Sequence, residues 1–250
     1  MPQLPQPATT VHGFYVVYKP VGPSSAGITN RLKWLLKKEC GQPKGVKIGH
    51  GGTLDPLADG LLPIGVGKAT KQLQALLEGP KTYTFTLKFG SQTTTDDTEG
   101  EVVARSDIRP TEAELSAILP QFTGDISQQP PIFSALKIDG QRAYKLAREG
   151  AEVQLEPRRI TIHNLKVLTF SPESALLEAE VSKGTYIRAL ARDIALALGT
   201  VGYVTTLTRI KHGPFGAEQA VTYEMLDKAL QSGDTHSYLL PLAVPPEQAD

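Results

Sequence analysis

The segment from Lys81 to Gly90 constrains the fold most, because its side chains alternate in character along its length. A period of two is typical of a strand that packs one face on a core and turns the other toward water. We therefore predict a half-buried strand here. Its two faces carry Tyr83, Phe85, Leu87 and Phe89 on one side and Thr84, Thr86 and Lys88 on the other.

Further strands and helices are indicated along the chain, without the regular alternation of a βαβ protein. Strands and helices mixed in this way predict an α+β fold with a central mixed or mostly antiparallel sheet flanked by helices. The predicted strands are Phe14–Tyr18, Ile160–Phe170, Ala175–Val181 and Tyr203–Lys211, and helices are expected after Ser24 or Ser25, after a Thr111–Glu114 capping box, from Ile187 to Gly199, and from Thr222.

Length and composition bound the organisation. A chain of 250 residues with 40% hydrophobic side chains predicts one large domain, or one domain carrying a small insertion or appendage. We expect a disordered leader at residues 1–10, the domain at 11–240 with an insertion at about 125–155, and a short tail at 241–250.

The cellular compartment is indicated by what the sequence lacks. Cys40 is the only cysteine, so a disulfide framework is excluded and a reducing compartment is the simplest interpretation. No run of about 18 apolar residues is present. The leader lacks the basic start and apolar stretch of a signal peptide. These features predict a cytoplasmic protein with no membrane association.

The formal net charge is zero, but the charges are unevenly distributed. From Lys19 to Lys71 nine basic side chains stand against three acidic ones, and from Lys137 to Lys211 twelve stand against eight. Such segments can fold into one positive face that binds nucleic acid. Ordinary surface charge explains the same distribution, and charge alone does not separate the two.

The densest run of glycine and proline lies between Gly49 and Lys71 and surrounds Asp55-Pro56. Glycines allow a ligand to approach the backbone closely. The proline biases Asp55 away from helical dihedral angles. A carboxylate in such a loop could act as a nucleophile or base. The alternative is a simple Asp-Pro turn residue, and the loop by itself favours that alternative.

Other site chemistries are excluded by spacing. Gly60 and Gly65 have the gap of a phosphate-binding P-loop, but Val66 stands where lysine is required. Five scattered histidines and one cysteine form no metal-ligand pattern, and no nucleophile elbow is present. We expect no metal and no cofactor.

The loop Gly49–Ala58 resembles the signature loop of TruB-type pseudouridine synthases, in which the matching aspartate is catalytic. Four further segments resemble motifs of that family in the same order, so the likeness extends from Lys19 to Phe215. They are Lys19–Ser25, Tyr83 with the later run Thr93–Gly100, Gln129–Lys137 and Ser182–Arg188.

This resemblance implies an isomerase that converts uridine 55 of the tRNA TΨC loop to pseudouridine without a cofactor. The target base must be flipped out of the RNA before an enzyme can reach it. The resemblance makes Asp55 the nucleophile, Arg188 its charge partner and Tyr83 the ring that stacks on the base. Attack at ribose C1′ or base C6 both remain open, and the ribose route is favoured.

Further binding residues follow from the same resemblance. The implied set is His50 in the space left by the base, Tyr186 and Leu207 as pocket walls, and Lys19, Lys71 and Lys137 as buttressing or phosphate contacts. Without the motifs, Tyr83 and Leu207 would be core residues, His50 a surface residue and Arg188 a phosphate clamp. We expect an enzyme that needs no protein partner, with a monomer as the default.

The chain departs from the family in three places. Asp59 stands where threonine or serine is usual, Thr94 stands where an acid is common, and the tail leaves no room for the RNA-binding PUA domain of many relatives. Three alternatives therefore remain open: a catalytic subunit of a guide-RNA complex, a non-catalytic RNA-binding or folding module, and an aspartate-nucleophile hydrolase.

Overall fold

A computed structural model of the chain describes residues 10–43, 45–133, 137–138, 141–142 and 155–242. The fold divides into two compact units. The first comprises Met1–Gly79 and Thr208–Asp250, and the second comprises Pro80–Leu207. The domain predicted over residues 11–240 spans both units, and that it folds as one domain stays a prediction. No helix in the described residues is long and apolar enough to cross a membrane.

The first unit is built on a mixed sheet. Its elements are β1 Gly13–Lys19, α1 Ser25–Lys38, β2 Ile48–His50, β3 Asp59–Val66, α2 Leu73–Glu78, the end of β12 Gly202–His212, β13 Val221–Thr222 and α5 Tyr223–Gln231. The strand order is β13–β1–β3–β12, and β2 pairs with β3. Strand β1 runs antiparallel to β3, β13 runs parallel to β1, and the end of β12 runs parallel to β3.

Strand β1 is buried on both faces, which explains its unbroken apolar sequence. Tyr15 and Val17 pack in a cluster with the apolar side of α1 and with α5. Phe14 and Val16 pack in a second cluster on the other face, where the Phe14 and Phe215 rings lie 5.4 Å apart. The strand therefore anchors both layers of the first unit.

The second unit contains the strand order β12–β4–β11–β10–β7, and from β4 to β7 each strand is antiparallel to its neighbour in that order. Strand β4 exposes Lys88 and buries Phe85, Leu87 and Phe89, which confirms the predicted half-buried strand. The elements are β4 Lys81–Phe89, β5 Ser91–Thr93, β6 Val102–Arg105, α3 Glu112–Ile118, β7 Gly124–Gln128, β8 Lys137–Ile138, β9 Gln141–Arg142, β10 Arg158–Ser171, β11 Ser174–Val181, α4 Ile187–Ala197 and the start of β12.

The α+β class and the mixed sheet are confirmed. The capping box of Thr111 and Glu114 is present, and Ser24, not Ser25, caps α1. Strand β7 takes residues up to Gln128 into the sheet, so the segment that leaves it begins after Gln128. Of that predicted insertion, the structure describes a short hairpin of β8 and β9. Residues 134–136, 139–140 and 143–154 lie outside the described part.

Gly60 supplies the first test of the fold. Its φ is +101°, and a Cβ at this position would overlap the backbone of Arg209 on the neighbouring strand. We expect Gly60→Ala to lower the free energy of unfolding by about 3 kcal/mol or more, because strain and overlap act together. Urea denaturation followed by circular dichroism measures this change.

The matched control is Gly199→Ala, where φ is +72° and no atom lies within 4 Å of an added Cβ. Here only backbone strain remains, and we expect a loss of about 1–2 kcal/mol. Equal losses in the two variants would contradict the overlap at Gly60.

Candidate active site

The Asp55 loop lies in the first unit between β2 and β3. Asp55 is half-buried and begins a tight turn in which the Ala58 amide donates to the Asp55 carbonyl at 3.1 Å. Leu54 and Leu57 on either side are buried, so they fix the loop to the core. The turn leaves the carboxylate on a short, well-supported segment.

Helix α1 holds this loop through one serine. The Ser25 hydroxyl donates to the Leu54 carbonyl at 2.9 Å and accepts from the Leu54 amide at 2.8 Å. The Gly22 amide also donates to the Pro56 carbonyl at 2.8 Å. The start of α1 and the Asp55 loop are therefore joined by backbone contacts, although about thirty residues separate them in sequence.

Lys19 supports the same loop from inside the first unit. Its side chain is fully buried, and the ammonium donates to the carbonyls of Pro20 at 2.9 Å, Pro56 at 3.4 Å and Ala58 at 2.5 Å. Of the two expected roles, the buried position of the ammonium supports buttressing, and contact of Lys19 with RNA stays a prediction.

Arg209, which the sequence analysis missed, is a second buried cation in the first unit. It is only 1% exposed, and its guanidinium donates to the Leu61 carbonyl at 2.8 Å and to the Gly52 carbonyl at 3.0 Å. It thus ties the glycine-rich turn before Asp55 to β3. The sequence feature that could have pointed to Arg209 is the two-residue period of a strand, which places it on the same side of β12 as Leu207.

His50 ends strand β2 and is half-buried. Burial of the imidazole and the positive charge of Arg209 both lower the pKa of His50 from its ordinary value of 6.5. The Nδ1 atom is buried and has no hydrogen-bond partner in the described residues. Lys71, by contrast, is exposed in the 3₁₀ helix Gly67–Gln72, where it is accessible to an RNA phosphate.

Arg188 lies in the first turn of α4 in the second unit. It forms a buried ion pair with Asp97 at 3.2 Å and donates to the carbonyls of Thr95 at 2.9 Å and Phe133 at 3.0 Å. Asp97 in turn accepts from the Thr95 hydroxyl at 2.5 Å and the Glu99 amide at 2.9 Å. These contacts fix the guanidinium, and its predicted pairing with Asp55 stays a prediction.

A second ion pair lies beside the first. Arg192 donates to the Asp96 carboxylate at 3.1 Å and also pairs with Asp193 at 2.9 Å. Burial raises the pKa of Asp96, although Arg192 and the Gln92 amide oppose that shift. Asp96 also has a φ of +57°, an uncommon backbone conformation for a residue other than glycine. The Thr93–Gly100 motif thus forms a rigid support for Arg188.

The aromatic and apolar candidates lie on two strands and before the first turn of one helix in the second unit. Tyr83 is half-buried on β4, opposite Ala179, and Leu207 is 7% exposed on β12. Tyr186 precedes α4, and the Gln128 amide accepts from its N–H at 2.9 Å and donates to its carbonyl at 3.0 Å. The sequence analysis did not single out Gln128. The feature that could have pointed to it is its position directly before the Gln129–Lys137 motif.

Lys137 is described only by its backbone, which pairs with Arg142 across the β8–β9 hairpin. In the part of the chain that the structure describes, no group of three or more His, Cys, Asp or Glu side chains could hold a metal ion. The candidate set is thus divided between the units: Asp55, Lys19, His50 and Lys71 lie in the first, and Tyr83, Lys137, Tyr186, Arg188 and Leu207 lie in the second.

Family models match almost the whole chain. The N-terminal domain of the TruB family of pseudouridylate synthases matches residues 36–187, and the C-terminal domain of tRNA pseudouridylate synthase B matches residues 188–249. The chain belongs to the TruB family. The motif resemblance seen in the sequence is confirmed.

Curated relatives carry the same family name. The tRNA pseudouridine synthase B of Zymomonas mobilis subsp. mobilis is 47% identical over 238 residues, covering 95% of this chain and 78% of the relative. That of Novosphingobium aromaticivorans is 48% identical over 237 residues, covering 93% of this chain and 77% of the relative.

Solved structures support the TruB fold. A chain of a Cbf5-Nop10-Gar1 complex is 30% identical with a TM-score of 0.66, covering 86% of this chain and 54% of that one. A chain of an H/ACA RNP bound to a substrate RNA containing 2′-deoxyuridine is 27% identical with a TM-score of 0.64, covering 86% and 52%. This chain spans about half the length of those solved chains.

The lowered pKa of His50 gives a pH-dependent prediction for this TruB protein. A group whose pKa is lower in the folded than in the unfolded state contributes stability above its ordinary value of 6.5, and this is lost as the pH falls through the folded value. We expect the wild type to lose stability between about pH 8 and about pH 5 more steeply than His50→Gln. Urea denaturation at each pH measures the difference.

His163→Gln is the control, because His163 is exposed in the folded protein. Its stability profile should follow that of the wild type. If the stability profile of His50→Gln also ran parallel to that of the wild type, the expectation that protonation of His50 destabilises the folded state would be wrong.

Proposed function

We propose that this TruB protein converts uridine to pseudouridine at position 55, in the TΨC loop of tRNA, with Asp55 as the nucleophile. The observation that carries the proposal is the family match across the Asp55 loop, together with relatives named tRNA pseudouridine synthase B at 43–48% identity. The roles of individual residues follow from the family resemblance together with the chemistry of each side chain.

The reaction needs only the atoms of the uridine and a carboxylate. Once the base is flipped out of the loop, in the favoured ribose route an Asp55 oxygen bonds to C1′ as the bond between N1 and C1′ breaks. The detached uracil anion turns, and C5 bonds to C1′ as the bond between C1′ and Asp55 breaks, which frees the carboxylate. The proton then leaves C5, and N1 takes up a proton. Atoms and charge balance without an oxidant or reductant, so no cofactor enters the scheme.

Arg188 keeps Asp55 ionised and oriented in this scheme. A guanidinium can donate two parallel hydrogen bonds to a carboxylate and lowers its tendency to take up a proton. The Asp97 ion pair and the Thr95 and Phe133 carbonyls hold Arg188 before substrate binds. Such preorganisation lowers the reorganisation needed when charge develops.

The remaining candidates bind the RNA. Tyr83 stacks on the flipped base, while Tyr186 and Leu207 line an apolar pocket around it. His50, neutral at physiological pH because its pKa is lowered, enters the space that the base leaves. Lys71 on the first unit and Lys137 on the hairpin contact phosphates, which makes binding salt-dependent.

A guide-RNA complex is the second candidate, since the matching solved chains come from Cbf5-Nop10-Gar1 and H/ACA RNP assemblies. Those chains are 27–30% identical to this one, whereas relatives named tRNA pseudouridine synthase B reach 48%. We therefore propose a monomeric cytoplasmic enzyme that acts on tRNA without a guide RNA or protein partner.

The decisive assay uses the purified chain alone with an unmodified tRNA transcript, and maps pseudouridine by nucleotide. We expect wild type to modify the TΨC-loop uridine and Asp55→Asn to be slower by at least about 10³-fold, because the amide is not a nucleophile. Asp59→Asn is the matched control at the start of β3, since its carboxylate accepts a hydrogen bond from the Tyr18 hydroxyl on the surface. It should modify tRNA like the wild type.

Two results would remove this proposal. Binding of the transcript without pseudouridine formation by the wild type would favour a guide-RNA subunit or an RNA-folding module. Full activity of Asp55→Asn would exclude Asp55 as the nucleophile.

The support of Arg188 by Asp97 gives a separate prediction. Asp97→Asn keeps the size of the side chain but removes its charge, so Arg188 loses the ion pair that orients it. We expect the single-turnover rate to fall by about 100-fold, since small errors of orientation cost that much. Rapid-quench assays at saturating tRNA measure the rate.

Asp193→Asn serves as the control, because it removes a partly exposed carboxylate that pairs with Arg192 instead. Its rate should stay close to that of the wild type. An unaltered rate for Asp97→Asn would show that Arg188 is positioned without the ion pair.

A further inference from the structure

Helix α1 carries a basic surface that the proposed catalytic role does not use. One side of the helix packs Ile28, Leu32, Leu35 and Leu36 into the core of the first unit. The opposite side exposes Lys33, Trp34, Lys37 and Lys38, which helical spacing places together. These four residues are the α1 outer face.

Trp34 is the only tryptophan of the chain, and 46% of it is exposed. The Arg31 guanidinium lies 5.0 Å from the centre of its ring, and Arg31 is itself held by Asp227 at 2.8 Å. The ring is thus oriented by its own unit and remains accessible. Exposed aromatic rings beside cations are typical platforms for stacking nucleotides.

The charge of this face is not compensated nearby. Helix α1 contains no acidic residue, and in the described part of the chain none of the three lysines forms an ion pair with a carboxylate. Of the acidic side chains near this helix, Asp227 is paired with Arg31, and Glu39 follows the last residue of the helix. Lys37 and Lys38 also complement the helix dipole, but that effect explains neither Lys33 nor the exposed Trp34.

The same helix leads directly to the Asp55 loop. Its first residue, Ser25, is bonded to Leu54 in both directions. At 1.5 Å per residue, Lys37 lies about 18 Å from Ser25 along the helix axis. A polyanion bound at the Asp55 loop can therefore continue along the outer face if it is longer than a small hairpin.

We propose that the α1 outer face binds the sugar-phosphate backbone of the same tRNA outside its T arm, with Trp34 stacking on a nucleotide. This inference rests on the proposed function for the identity of the RNA. Lysines supply charge to the phosphates, which is the main source of affinity for nucleic acid and carries no sequence preference. The face thus selects a whole tRNA over an isolated T-arm hairpin.

The fluorescence of Trp34 tests the contact directly, because no other tryptophan contributes to the signal. The Asp55→Asn protein is titrated with full-length tRNA and with a T-arm hairpin, and binding is followed independently by filter retention. We expect full-length tRNA to quench the emission and the hairpin to bind without quenching. Binding of tRNA without a change in emission, or equal quenching by both RNAs, would overturn the proposal.

Charge is tested by a matched pair of double variants. We expect Lys33→Gln with Lys37→Gln to reduce the slope of log affinity for tRNA against log salt by about 2, at about 1 for each phosphate contact. The control is Lys88→Gln with Lys228→Gln, two lysines that are also exposed. It should retain the wild-type slope. Equal slopes for the two double variants would contradict phosphate binding by α1.

Pseudouridine formation by the wild-type preparation separates this inference from the proposed function. If pseudouridine forms while Trp34 emission stays constant, the α1 contact alone is refuted. If no pseudouridine forms, the proposed function fails, and quenching of Trp34 by tRNA still supports RNA binding at the α1 outer face.

Discussion

The burial of positive charge beneath backbone carbonyls is the constraint on which the Asp55 loop depends. The Lys19 ammonium has no access to water, so its hydrogen atoms must be satisfied by protein oxygens. The carbonyls of Pro20, Pro56 and Ala58 meet that requirement. A loop whose carbonyls must converge on one buried cation has few conformations, and Asp55 is held within that loop.

Arg209 extends the same principle to the turn that precedes Asp55. Its guanidinium is buried between the Gly52 and Leu61 carbonyls, and its backbone lies against Gly60. Replacing either buried cation would remove hydrogen bonds from these carbonyls, and lost hydrogen bonds are costly in a low-dielectric interior. The loop is therefore rigid because its support is polar and fully buried, rather than because its own sequence is stiff.

In the second unit a buried carboxylate holds the buried cation, whereas in the first unit backbone carbonyls hold Lys19 and Arg209. Asp97 is almost fully buried, and it accepts from Thr95 and Glu99 while it faces Arg188. An arginine held in this way has its guanidinium plane fixed in direction, which suits the recognition of a carboxylate or phosphate. Preorganised charge of this kind is what an isomerisation without a cofactor requires from its protein.

Much of the local structure could be predicted from local rules. The alternation in β4, the capping box at Thr111 and the end of a helix near Gly199 could be predicted because each depends on a few neighbouring residues. The motif around Asp55 was readable because glycine and proline restrict the backbone directly. The roles of Arg209 and Gln128 were not, since each binds residues distant in sequence.

The sequence by itself determined the α+β class and the family to which the chain belongs. Only the tertiary structure decided the partner of each buried charge. Lys19 acquired the carbonyls of Pro20, Pro56 and Ala58 as partners, and Arg188 acquired Asp97. The physical reason is that burial and pairing depend on residues as far apart as Gly52 and Arg209, which folding alone brings into contact.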